Sequence, residues 1–103
     1  MDKINIEDLT RMMNEFVALK GWYDENSTRP QTPQNIAISL SLESAEILEH
    51  FQWTDKIKNK EALASELADT ALYLLQLASV SNIDLEKAIL DKLEHNKSRE
   101  WAN

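Results

Sequence analysis

Apolar residues recur at intervals of three and four along most of the chain, with polar residues between them, which predicts amphipathic helices rather than strands. Ile6, Leu9, Met13, Phe16 and Val17 mark a first helix from about Ile6 to Lys20, and Gly21, the only glycine, sits where a C-cap would. The stretch "WYDENSTRPQTP" is long and irregular. It ends in Thr32-Pro33, an N-cap followed by proline at the first helical position, which opens a second helix to about Gln52. "TDKIKNK" breaks the pattern, with Asn59 placed to cap a third helix from about Lys60 to Ser79. After "SNID", Asp84 caps a fourth from about Leu85 to Ser98, whose stripe is Leu85, Ala88, Ile89 and Leu93.

The second and third helices share a device. At about 100° per residue, Ile36, Ala37, Leu40, Ile47, Leu48 and Phe51 fill one arc of the second helix. Glu43 lies at the edge of that arc and Glu46 about 60° beyond it. In the third helix Leu63, Leu67, Thr70, Ala71, Leu74, Leu77 and Ala78 fill the matching arc, with Glu66 at its edge and Asp69 about 60° beyond. Each helix therefore presents two carboxylates one turn apart, ExxE and ExxD, beside its apolar stripe. No base stands four residues after any of them; Ile47, His50, Thr70 and Tyr73 do.

Composition narrows the class. A chain of 103 residues with 43% hydrophobic residues is expected to form a single domain over residues 1–103, and one glycine with two prolines leaves little material for hairpins. The expected fold is all-α, with four to five helices. There is no cysteine, hence no disulfide, thiolate nucleophile or cysteine-type zinc site. The start, "MDKINIEDLT", lacks the flank and apolar run of a signal peptide, and no apolar stretch approaches the roughly 18 residues of a membrane span, so a cytoplasmic location without membrane contact is expected. A formal charge of -7 argues against binding polymeric nucleic acid, which depends on clustered Lys and Arg.

Four carboxylates converging from two packed helices repel one another unless a cation offsets them, and an all-oxygen set favours Mg²⁺, Mn²⁺ or Ca²⁺. Mg²⁺ keeps waters and bridges to substrate phosphates, so phosphate chemistry is its natural use. The plain alternative is a set of ordinary surface acids. A di-iron carboxylate bundle requires Glu-x-x-His, and neither His50 nor His95 follows a Glu at that spacing.

"SLSLESAEILEHFQW", "ELADTALYLLQLA" and "IDLEKAILDKLEHNKSREW" together resemble the MazG-like all-α nucleoside triphosphate pyrophosphohydrolases, in particular their small single-domain members, which include the dCTP pyrophosphatases. The resemblance runs from about Asn14 to Trp101. It implies a MazG-like helical bundle. Apolar faces on all four helices of so short a chain predict that the bundle is completed by dimerisation, as a homodimer or a homotetramer of two dimers. The resemblance places Mg²⁺, with Mn²⁺ as a substitute, on Glu43, Glu46, Glu66 and Asp69. The implied reaction is hydrolysis of a nucleoside triphosphate to monophosphate and pyrophosphate, with a carboxylate helping water to attack the α-phosphorus; Glu46 is the chosen base and Glu49 an outer candidate. Trp22 and Trp53 match positions that pack around the base, and Tyr73 and Asn96 match positions near the sugar or phosphates. Lys92, Asn96 and Arg99, on one helix face, match a phosphate-contacting pattern.

The chain departs from that pattern in four places. Ser44 and Ala45 stand where a glycine is frequent, Glu100-Trp101 where Tyr-Pro is frequent, and Met13 where some dCTP-hydrolysing members carry a histidine. The stretch from Trp22 to Thr32 is also longer. The metal site is unaffected by these departures, whereas base preference, expected to lean to pyrimidine deoxynucleotides, is exposed to them. Two other classes stay open at this level: a nucleotide- or Mg²⁺-binding module without turnover, and a helical protein-interaction domain.

Overall fold

In a computed structural model, residues 3–100 are described. Trp101, which closes the resemblance, lies outside them. The described residues form four helices and no strand: α1 (Ile6–Leu19), α2 (Pro33–Glu49), α3 (Lys60–Val80) and α4 (Leu85–Ser98). None is long and apolar enough to cross a membrane.

Local chemistry accounts for the helix ends. Thr32, Asn59 and Asp84 each accept a backbone N–H of the first turn of α2, α3 and α4, as their positions predict. Asn5 does the same for α1, and Asp8 answers it reciprocally in a capping box. Beyond α1, Gly21 takes a left-handed φ of 77°, its N–H donates to Ala18 and that of Trp22 to Val17. This Schellman closure turns Trp22 back onto Phe16, edge to face at 5.9 Å. Asn82, with φ 56°, closes α3 in the same way and brings Ile83 N–H to Ala78. α2 is shorter than its pattern predicts. It ends at Glu49 rather than Gln52, because His50, Phe51 and Gln52 donate to carbonyls three residues back, in tight turns.

The main contact is between α2 and α3; α1 packs on α3, and α4 lies against α1. Met13, Val17 and Leu75 form the buried centre, with Ile6, Trp22 and Leu85 against it, while Ile36 is buried on α2. The predicted stripe of α3 is only partly covered. Ala78 is buried, but Leu67 is 51% exposed, Leu74 is exposed as well, and on α2 Leu48 is 73% exposed. Accordingly the chain exposes 8569 Å², where a compact monomer of this length exposes about 6,000 Å². Its radius of gyration is 16.4 Å, against about 13 Å for a compact domain.

Candidate metal centre

Glu43 and Glu46 project from α2 one turn apart, and Glu66 projects from the facing turns of α3. Each offers a carboxylate oxygen, and these three oxygens lie within 4.8 Å of one another. Glu43 Oε2 and Glu66 Oε2 are sealed from solvent and meet no hydrogen-bond donor, whereas Glu46 is exposed. Asp69 is outside this trio but close enough for its charge to act on Glu43.

Titration behaviour follows from the crowding. Loss of hydration, then the charges of Glu46 and Asp69, push the Glu43 carboxyl above its ordinary range. Glu66 is pushed up to about 7, first by the close approach of the Glu46 carboxyl, then by lost hydration and the charges of Glu46 and Glu43. Crowded in this way, the carboxylates favour either a proton or a cation among them. The donor set is all oxygen and anionic, and its members converge, which fits a hard divalent cation.

Beside the cluster opens a cavity of about 780 Å³, within the size range of small-molecule sites. Glu43 and Asp69 stand at one end; Ile36 and Ser39 of α2 and Tyr73 and Gln76 of α3 line its walls. Early α2 thus faces late α3, and the helices run antiparallel. Trp22 also lines the cavity, with the Arg29 guanidinium over its ring at 5.4 Å from the ring centre.

Of the residues singled out in the sequence, Glu43, Glu46 and Glu66 come together, and Asp69, Tyr73 and Trp22 line the adjoining cavity. Trp22 also packs against the core and meets the Phe16 ring, although its irregular stretch alone contains too few apolar neighbours to bury it. Glu49 is not in the cluster, and Trp53 is 87% exposed outside the cavity. Lys92, Asn96 and Arg99 lie along or just beyond α4 and do not line the cavity. Gln76, Gln31 and Arg29 are cavity residues that sequence reasoning passed over. A signal existed for Gln76: it falls three residues after Tyr73 and seven after Asp69, a polar residue in the apolar run "LYLLQLA".

Residues 38–102, which hold both acid pairs and α4, match the model of the MazG-like family. The chain belongs to the MazG-like family. Among curated proteins it is similar to dCTP pyrophosphatase 1 of Rattus norvegicus, at 31% identity, and of Homo sapiens, at 33%, in each case over 91% of this chain and 58% of the relative. The chain therefore spans less than two thirds of the length of those relatives. Among solved structures it is similar to a pyrophosphatase from Archaeoglobus fulgidus, with a TM-score of 0.77 and 33% identity over 97% of both chains. The likeness to that structure thus extends through α1 and the long loop as well as through residues 38–102.

Proposed function

We propose that this chain is a divalent-metal-dependent nucleoside triphosphate pyrophosphohydrolase. It converts a deoxynucleoside triphosphate, pyrimidine-leaning in preference, to monophosphate and pyrophosphate, and clears the cytoplasmic nucleotide pool. The observation that carries this reading is the convergent carboxylate trio, whose Glu43 also lines, with Asp69, a cavity of about 780 Å³. The names of its relatives, two dCTP pyrophosphatases and a pyrophosphatase, support the same reaction.

Glu43, Glu46, Glu66 and Asp69 are the residues that would hold the cation. Mg²⁺, or Mn²⁺ in its place, supplies charge neutralisation to the phosphates and favours ionisation of the attacking water. Glu46, the exposed member of the trio, takes the proton as water oxygen bonds to the α-phosphorus and the bond to the bridging oxygen of pyrophosphate breaks. Glu49, one turn further along α2, is its outer partner. Trp22 packs the base and Tyr73 meets the sugar. Trp53 adds an aromatic face, and Lys92, Asn96 and Arg99 meet phosphates. None of these last four lines the cavity of its own chain, so the proposal assigns them to the site of a second copy.

The second copy has its own support. The area exposed beyond that of a compact monomer is roughly 2,600 Å² on one chain, enough for an obligate interface, which covers roughly 1,000–2,500 Å² on each partner. It includes the apolar residues Leu67 and Leu74. The assembly is a homodimer, or two such dimers in a tetramer.

The test is to incubate the protein with Mg²⁺ and each nucleoside triphosphate and to identify products by phosphorus NMR. Monophosphate plus pyrophosphate, lost without Mg²⁺ or in Glu46→Gln, is the expected result. Diphosphate plus orthophosphate would mean attack at the γ-phosphorus and would overturn the reaction assigned.

A further inference from the structure

The cavity is not uniformly apolar. Gln76 is 3% exposed, yet it lines the cavity wall. Its Nε2 donates to Gln31 Oε1 at 2.8 Å and to the Tyr23 hydroxyl at 3.4 Å. Gln31 Nε2 in turn donates to the backbone carbonyl of Arg29 at 2.6 Å.

These bonds leave each amide one orientation. A backbone carbonyl can only accept, so the nitrogen of Gln31 must face Arg29 and its oxygen must face Gln76. Gln76 must then present its own nitrogen to Gln31. The Tyr23 hydroxyl gives its proton to Asn14 Oδ1, so towards Gln76 it too can only accept. Both contacts therefore fall on the Gln76 nitrogen, and among the described residues its Oε1 accepts no hydrogen bond. With its nitrogen engaged on two sides, Gln76 keeps its amide oxygen as an acceptor for a donor in the cavity that it lines.

Position indicates whose donor. Glu66, Asp69, Tyr73 and Gln76 follow one another along one face of α3, and Gln76 lies about 10 Å beyond Asp69 along the axis. Trp22 and Ile36 line the same cavity. Resting on the nucleotide reading above, a substrate with its phosphates at the carboxylates has its base at Gln76.

We propose that Gln76 is a specificity-determining residue that reads the nucleobase, its Oε1 accepting a hydrogen bond from an exocyclic amine. The class selected is the amino base, cytosine or adenine, over the oxo base of the same shape, uracil or hypoxanthine, whose oxygen would face the Gln76 oxygen. Gln31 acts through Gln76, as a positioning residue that forbids the amide flip by which an oxo base would be accepted.

The experiment compares kcat/KM, with Mg²⁺, for dCTP against dUTP and for dATP against dITP, pairs that differ at the amine. Amino substrates should be favoured by about 10–100-fold within at least one pair, the range set by leaving a buried acceptor unmet. Gln76→Met should collapse that ratio to within about threefold. Gln31→Leu, which frees the amide to flip, should also relax it, chiefly through a gain on the oxo substrate. If Gln76→Met fails to fold by circular dichroism, the Gln31→Leu ratio decides. Equal rates within both pairs for the unmodified protein, or an unchanged ratio in the folded variants, would overturn the assignment and leave the pyrophosphohydrolase reading standing. If no nucleotide is turned over, that reading fails, and Gln76 is judged on calorimetric Kd values for the same pairs: equal values, or no binding, overturn it.

Discussion

Glu43 of α2 and Glu66 of α3 bring carboxylate oxygens within 4.8 Å of each other, and each keeps its Oε2 from solvent with no donor beside it. Two helices separated by a loop have been packed with like charges facing. Such a contact is unfavourable in the isolated chain and becomes favourable with a cation or a shared proton.

Stability without metal should therefore depend on pH with an unusual sign. The Glu66 carboxyl is raised from an ordinary 4.5 to about 7 in the folded chain, so between those values the folded state binds more protons than the unfolded one. Its stabilising contribution is full below about 4.5 and is lost as pH rises through about 7. In metal-free protein, Tm should fall between pH 5 and pH 8; added Mg²⁺ should raise Tm most at the upper end. A flat profile in thermal melts would contradict the raised Glu66 carboxyl.

Glu46→Gln separates stability from turnover. Removing one charge from the trio should raise the apo Tm at pH 8. It should also weaken Mg²⁺ affinity by at least the roughly 10–100-fold seen when even an outer partner of a metal ligand is lost. Calorimetric Mg²⁺ titration and phosphorus NMR read the two consequences. A merely solvated acid would change neither affinity nor products.

Ile36 is the most completely buried large side chain, at 2% exposure, and it also lines the cavity wall. Ile36→Ala should cost about 2–5 kcal/mol, read by urea denaturation with the m-value checked for constancy. A loss well under 1 kcal/mol would mean that this part of α2 is not held against α3 as described.

The apolar surface on α2 and α3 makes a solution measurement decisive. Light scattering at micromolar concentration should give two or four times the chain mass of 11.9 kDa. Leu67→Glu with Leu74→Glu should shift the mass towards one chain. A monomer in the unmodified protein would contradict the assembly.

At Gly21 the backbone is left-handed, and an added Cβ would lie 3.2 Å from Asp24 Oδ2. Gly21→Ala should cost about 1–2 kcal/mol in the same urea assay. It should also quench or shift Trp22 fluorescence, because the Schellman closure sets that ring against Phe16.

By itself the sequence determined what depends on residues a few positions apart. Four helices, the caps at Thr32, Asn59 and Asp84, and the pairing of Glu43 with Glu46 follow from backbone hydrogen bonding and a period of about 3.6 residues. The tertiary structure decided what depends on the approach of distant segments. It joins Glu66 to the α2 pair and leaves Asp69 beside the trio, ties Gln76 to Gln31 across 45 positions, and half-buries Trp22. It also leaves Leu67 and Leu48 open although their stripes read as core. Periodicity assigns residues to a face of a helix, but what meets that face depends on helix crossing and loop closure, which no local spacing encodes.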